Sequence, residues 1–177
     1  MNTGIVYTGI PSAEELAGCP GVPTEVRMKK GRVAVIECVQ QIPCNPCEGA
    51  CPFGAITIGE QITNLPCIDV DKCTGCGLCI VRCPGLAITV VDKVLNELEA
   101  SVDFPFEYIP LPAEGDIVEA VGRDGQPVCK GRILKVKKLP SYGGTTVISM
   151  AIPAEYADTV RSMKRLPTER TDKRGDK

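Results

Sequence analysis

A chain of 177 residues with 44% apolar and 24% charged side chains holds enough hydrophobic matter for one medium domain or two small ones, which argues against wholesale disorder. It contains no histidine, and this removes the Ser-His-Asp and Cys-His catalytic sets, the Rieske ligand pair and every zinc site that needs imidazole. Twenty basic against 22 acidic residues leave a net charge of -2, too weak a field to hold a phosphate backbone, so no nucleic-acid partner is expected and eleven cysteines are left to carry the chemistry.

The opening residues, Met1 to Ile5, lack a charged stretch leading into a long apolar core, and no later apolar run approaches membrane-spanning length. The chain is therefore expected to be cytoplasmic and without a membrane partner. In a reducing compartment, thiols at short regular spacing are more often metal ligands than disulfide partners. Residues 1–31, rich in glycine and proline, are expected to lie extended over a partner. Nine of the cysteines then crowd between Cys38 and Cys83.

That central stretch repeats itself. Sliding the sequence by 32 positions lays Cys44 to Ile58 over Cys76 to Val90, with seven of fifteen columns identical. Short β-rich runs alternate with the cysteine loops: Arg32 to Val39, Ala55 to Ile58, Cys67 to Val70 and Ala87 to Val91. Pro46 to Cys51 and Gly75 to Cys83 are too short for more than one or two helical turns. The expected unit is β-α-β, present twice, in an α+β protein with a pseudo-twofold domain at residues 32–92.

Beyond Asp92 the cysteines thin out and prolines at 105, 110 and 112 punctuate the chain, which suggests a domain boundary. Asp116 to Val121, Pro127 to Lys137 and Thr145 to Ile152 read as strands, the first two joined by a tight turn at Arg123-Asp124-Gly125-Gln126. They predict a small antiparallel, barrel-like domain over 93–164. It is expected to end in a helix from Ala154 to Met163, with Tyr156, Val160 and Met163 at helical spacing. Residues 165–177, mostly charged and without apolar periodicity, read as a flexible tail.

The run Cys73-x2-Cys76-x2-Cys79-x3-Cys83-Pro84 has the spacing by which bacterial ferredoxins hold cubane iron-sulfur clusters. Thiolates at every third position wrap three corners of a 4Fe-4S cube, while Gly75 and Gly77 let the backbone approach its sulfides. In the first copy Cys44, Cys47, Cys51 and Pro52 align, but Gln41 stands where Cys73 predicts a thiol. Cys38, three positions upstream, is assigned as the missing ligand, with the Val39 to Pro43 spacer bulging outward and Cys67 held in reserve. Loss of one corner, to 3Fe-4S, stays open at this site. Cys19, Cys67 and Cys129 otherwise read as small buried hydrophobes. Structural zinc is the alternative for the set, disfavoured by the third regularly spaced cysteine and the terminal Cys-Pro.

Residues 33–91 thus resemble the bacterial ferredoxin family that carries two 4Fe-4S clusters. The resemblance implies crossed ligation, in which Cys38, Cys44, Cys47 and Cys83 hold one cluster and Cys73, Cys76, Cys79 and Cys51 hold the other. The longer context, from Gly18-Cys19-Pro20-Gly21-Val22-Pro23 through Val35 to Cys47 and the barrel-like end, looks like the small iron-sulfur subunit of flavin-dependent dehydrogenases of anaerobes acting on proline, hydroxyproline or other secondary amines. It implies electron relay between an FAD- or FMN-bearing subunit and an acceptor, within a hetero-oligomer and without a catalytic site on this chain. A free-standing ferredoxin shuttle is the alternative. Ile42, Phe53, Ile56, Leu78, Ile80, Leu86 and Ile88 are expected to wrap the centres or, equally, to pack an ordinary core.

Overall fold

The computed structural model describes residues 3–167. Three short helices come first, α1 (Ile5–Thr8), α2 (Ala13–Ala17) and α3 (Glu25–Met28). They correct the expectation of an extended segment. Ser12 and Glu15 form a capping box on α2, and the Thr24 side chain accepts from the Arg27 amide at the start of α3, so local caps supply the hydrogen bonds that an extended strand would lack. Glycine and proline limit each helix to about one turn.

The strands are β1 (Val33–Ile36), β2 (Ile56–Thr57), β3 (Cys67–Ile68), β4 (Ile88–Asp92), β5 (Glu99–Phe106), β6 (Ile117–Val121), β7 (Pro127–Lys137), β8 (Thr146–Pro153) and β9 (Ser162–Met163). A helical turn, α4 (Pro46–Ala50), follows the first cysteine loop, and a 3-10 turn, Ile80–Arg82, occupies the equivalent place in the second. Two antiparallel pairings frame the repeat: β1 with β4 in the main sheet and β2 with β3 in a small separate sheet.

The main sheet has seven strands in the order β1-β4-β5-β8-β7-β6-β9 and runs straight across residue 92, because β4 pairs with β5. It is an open antiparallel sheet and no closed barrel, which corrects the barrel-like expectation. Its first strand cannot close onto its last: the outer edge of β1 is already occupied, with Ile36 donating to the Gly21 carbonyl at 2.9 Å and Ala34 donating to Cys73 Sγ at 3.5 Å. Irregularities in register, one in β6 and one in β7, bend the sheet instead.

Strand β5 was hidden from the sequence by Pro105. Beyond Asp103 it pairs with β8 alone, so the proline sits where the strand has a free edge and its missing N–H is tolerated. The core lies along β1, β4, β5 and β8, where Val35, Phe104, Ile148 and Met150 have no accessible surface.

The helix expected from Ala154 to Met163 is also corrected. Only Ala154–Tyr156 winds, as a 3-10 turn, and the chain then straightens into β9. Arg161 donates to the Val121 carbonyl at 3.0 Å and Lys164 to that of Glu119 at 2.8 Å. The open edge of β6 offers a ladder of partners, and a ten-residue helix that is marginal on its own yields to it. Val160 and Met163 are buried all the same, so the apolar spacing was real and its geometry was not helical. The tail expected at 165–177 falls, from Thr168 onward, outside the described residues.

Candidate functional site

The second cysteine loop is tied down from below. Arg27 on α3 donates to the carbonyls of Val70, Gly31, Arg32 and Cys73, at 2.8 to 3.2 Å, joining the loop to the start of β1. Gly75 has a φ of +66° and packs on Arg32 so closely that a Cβ there would lie 2.6 Å from the Arg32 Cβ. Only glycine fits this backbone. The loop so folded places Cys73, Cys76 and Cys79 around a small cavity, and Cys51, delivered by the end of α4, lines the same cavity. Ala34, Phe53, Ala55, Ile56 and Leu78 complete its largely apolar wall.

A second small cavity is lined by Cys38, Cys44, Cys47 and Cys83 together with Ile36, Ile42, Ile58 and Ile88. Gln41 is exposed with the rest of the 40–43 spacer, and the Cys44 backbone N–H donates to the Ile62 carbonyl at 3.2 Å. Each loop therefore contributes three thiols to one cavity and its last thiol to the other. Corresponding backbone amides point at those exchanged sulfurs: Ala55 donates to Cys51 Sγ at 3.3 Å and Ala87 to Cys83 Sγ at 3.4 Å. Such donors stabilise a thiolate and set the potential of a metal bound to it.

The electrostatics report the same grouping. Burial, with further repulsion from Cys73 and Cys76 and a smaller contribution from Cys51, pushes the Cys79 thiol up to about 12. Burial first, and Cys83 next, raise Cys38 and Cys47. Metal binding must therefore expel the protons that burial favours on Cys38, Cys47 and Cys79.

The remaining thiols differ from one another. Cys19 is buried, and its Sγ donates to the carbonyls of Ile36 at 3.4 Å and Cys38 at 3.5 Å. Cys129 is half-buried, and burial raises its thiol. Cys67 is exposed, correcting its reading as a buried hydrophobe: on the two-residue β3 its neighbour Ile68 takes the inward face. It lines neither cavity. Of the apolar set, Ile56, Ile80 and Ile88 are buried, whereas Ile42, Phe53, Leu78 and Leu86 stay 40 to 49% exposed and form a hydrophobic rim.

Two ion-pair networks escaped sequence reading because their members lie far apart in the chain. Arg32 pairs with the buried Asp103 at 2.7 Å, which also accepts from Ser149 at 2.5 Å. Glu37 accepts from both Arg123 and Arg161. No local pattern signals either pairing.

The donor set fits iron-sulfur cubes better than zinc. A zinc thiolate site gathers four sulfurs at about 2.3 Å around one ion. Among the described residues no three Cys, Asp or Glu side chains converge closely enough to hold a single metal ion. Four thiols spread around an apolar wall suit a ligand with its own inorganic core. No helix among the described residues is long and apolar enough to cross a membrane.

Comparison with known proteins bears on the second loop most directly. One component of a Na+-translocating ferredoxin:NAD+ oxidoreductase complex, from Acetobacterium woodii, is 49% identical over 47 residues, 27% of this chain and 14% of its own length. An uncharacterized ferredoxin of Methanocaldococcus jannaschii is 31% identical over 87 residues, 48% of this chain and 54% of that protein. A translation initiation factor of Saccharomyces cerevisiae is 29% identical over 132 residues, 65% of this chain and 21% of its own. The chain thus spans about half or less of the length of each of these relatives. No solved structure matches significantly. Residues 66–89 match the 4Fe-4S binding domain family, so the chain carries a ferredoxin-type iron-sulfur domain.

Proposed function

We propose that this chain is an electron-transfer subunit that holds two 4Fe-4S clusters and relays electrons between a flavin-bearing dehydrogenase subunit and an acceptor. The observation that carries the reading is the pair of cavities, each bordered by four cysteines and each borrowing one thiol from the other loop. In this reading Cys38, Cys44, Cys47 and Cys83 hold one cluster and Cys51, Cys73, Cys76 and Cys79 the other. When bound, each cube supplies a one-electron carrier inside a low-dielectric wall.

The chain's own residues do the rest. Ala55 and Ala87 direct amide hydrogens at thiolate sulfur, which eases the added negative charge of the reduced state. Buried Ile56, Ile80 and Ile88 exclude water, while the exposed rim of Phe53, Leu78 and Ile42 leaves an apolar surface at the cavity mouths. A partner is supported by the material outside the cluster loops: the sheet from β5 to β9 is far more than two cubes need. It is also supported by the related Acetobacterium protein being named as part of an oxidoreductase complex. The flavoprotein identity of the partner rests on the sequence resemblance around Cys19 and Cys38.

Anaerobic purification is expected to yield a brown protein with about eight irons and eight acid-labile sulfides per chain. Stoichiometric zinc, or iron for a single cube in a fully folded chain, contradicts the reading. Gentle isolation from the source organism is expected to co-purify a flavoprotein, and a solitary chain that reduces many acceptors is the opposite result.

A further inference from the structure

Cys38 has the weakest local support of the eight thiols: it follows β1 without a loop motif of its own and precedes an exposed, irregular spacer. What holds it comes from elsewhere. The neighbouring Glu37 side chain is only 11% exposed and accepts from Arg123 Nε at 2.7 Å and Nη2 at 2.5 Å, in a two-pronged grip, and from Arg161 Nε at 2.7 Å. Arg161 is itself fixed by donating to the carbonyls of Ala157 at 3.0 Å and Val160 at 2.6 Å. The Glu37 amide donates to the Ala87 carbonyl at 2.9 Å, and the Ala87 amide in turn donates to Cys83 Sγ, the exchanged thiol of the same cavity. On the other side the Cys19 thiol donates to the carbonyls of Ile36 and Cys38.

Both arginines come from the C-terminal part of the chain, beside β6 and β9, and meet on Glu37, the residue before Cys38. The nearly buried position of all three side chains protects the pairing from solvent screening. The loop of the Cys73 cavity is held instead by Arg27 and Arg32.

We propose that Glu37, Arg123 and Arg161 are positioning residues for Cys38, through which the C-terminal part of the sheet sets the stability and potential of the centre in the Cys38–Cys83 cavity and leaves its neighbour unaffected. This rests on the two-cluster reading, and the two are separable by experiment. The full chain is reconstituted anaerobically with iron and sulfide; if the unaltered protein does not carry two centres, the two-cluster reading fails before Glu37 is touched.

Given two centres, with the Cys38→Ser protein identifying which EPR signal and redox midpoint belong to the Cys38 cavity, Glu37→Gln is expected to release half of its iron to a chelator about tenfold faster than the unaltered chain. It is expected to shift the midpoint of that centre alone. Arg123→Lys keeps the charge but loses the two-pronged grip, and is expected to give the same selectivity with a smaller change. It also carries the test if Glu37→Gln does not fold. Glu119→Gln, which removes an exposed pairing with Lys130 and Lys164, serves as the control and is expected to alter neither centre. Equal changes at both centres, a change only at the Cys73 centre, or no change at either overturns the proposal.

Discussion

The two cysteine loops share a sequence pattern but differ in how they are built. From their last aligned cysteine onward they match in hydrogen bonding. Cys51 and Cys83 each accept from an alanine amide four residues later, and the left-handed position between them is Gly54 at φ 58° in one copy and Leu86 at φ 52° in the other. Before it they diverge: Cys73 lies within its own loop, whereas Cys38 lies beyond the end of β1 and is held by residues from both ends of the chain. The turn between is α-helical in the first copy and 3-10 in the second. Bonds spanning about four residues repeat wherever the local sequence repeats, while a position secured by distant partners is free to shift in register.

Removing thiols tests that contrast most strongly. Cys79→Ser and Cys38→Ser are each expected to lower iron from about eight to about four per chain, by emptying different cavities, while Cys67→Ser leaves it unchanged. Metal analysis with EPR of the residual centre decides this. Iron loss in Cys67→Ser at full retention in Cys38→Ser reverses the ligand assignment.

A smaller effect separates the loops in the metal-free protein. Burial pushes the folded Cys79 thiol up to about 12, whereas an unfolded thiol releases its proton near the ordinary value of 9.0, so rising pH over that window favours unfolding. One such thiol lowers stability by about 1.4 kcal/mol per pH unit. Urea midpoints of the apoprotein from pH 8 to 11 are expected to fall, and to fall less steeply in Cys79→Ala. Parallel slopes in the two proteins count against the burial-driven shift.

The smallest effect compares the shared turn. Gly54 has empty space where a Cβ would point, so Gly54→Ala registers backbone strain alone and is expected to cost about 1 kcal/mol. Leu86→Gly relieves the same strain and is expected to be stabilising by less than that, since glycine also loosens the unfolded chain. Thermal unfolding of the two variants gives the comparison, and changes of the same sign break the equivalence of the turns.

Much of this arrangement was legible beforehand, for a physical reason. Thiol spacing and the Cys-Pro steps are short-range, and so were the strands at Ile88 to Asp92 and Pro127 to Lys137 and the turns at the cysteine loops. What escaped reading depends on partners. Pro105 obscured β5 because only its edge position makes the proline acceptable, and Ala154 to Met163 kept apolar helical spacing yet joined β6 because an open edge was present. The pairings of Arg27, Arg32, Asp103, Glu37, Arg123 and Arg161 carry no signal in the sequence, since nothing local shows that they meet.

The sequence alone determined the chemistry: eleven thiols, no imidazole, and a doubled ligand spacing that specifies an iron-sulfur domain. Only the tertiary structure decided which thiols share a cavity, that one sheet runs through both halves of the chain, and that Glu37, the residue before Cys38, pairs with arginines 86 and 124 residues away. Ligand type and local turns follow from neighbours along the chain, whereas cavities and buried ion pairs exist only where folding has brought distant segments together and removed the water between them.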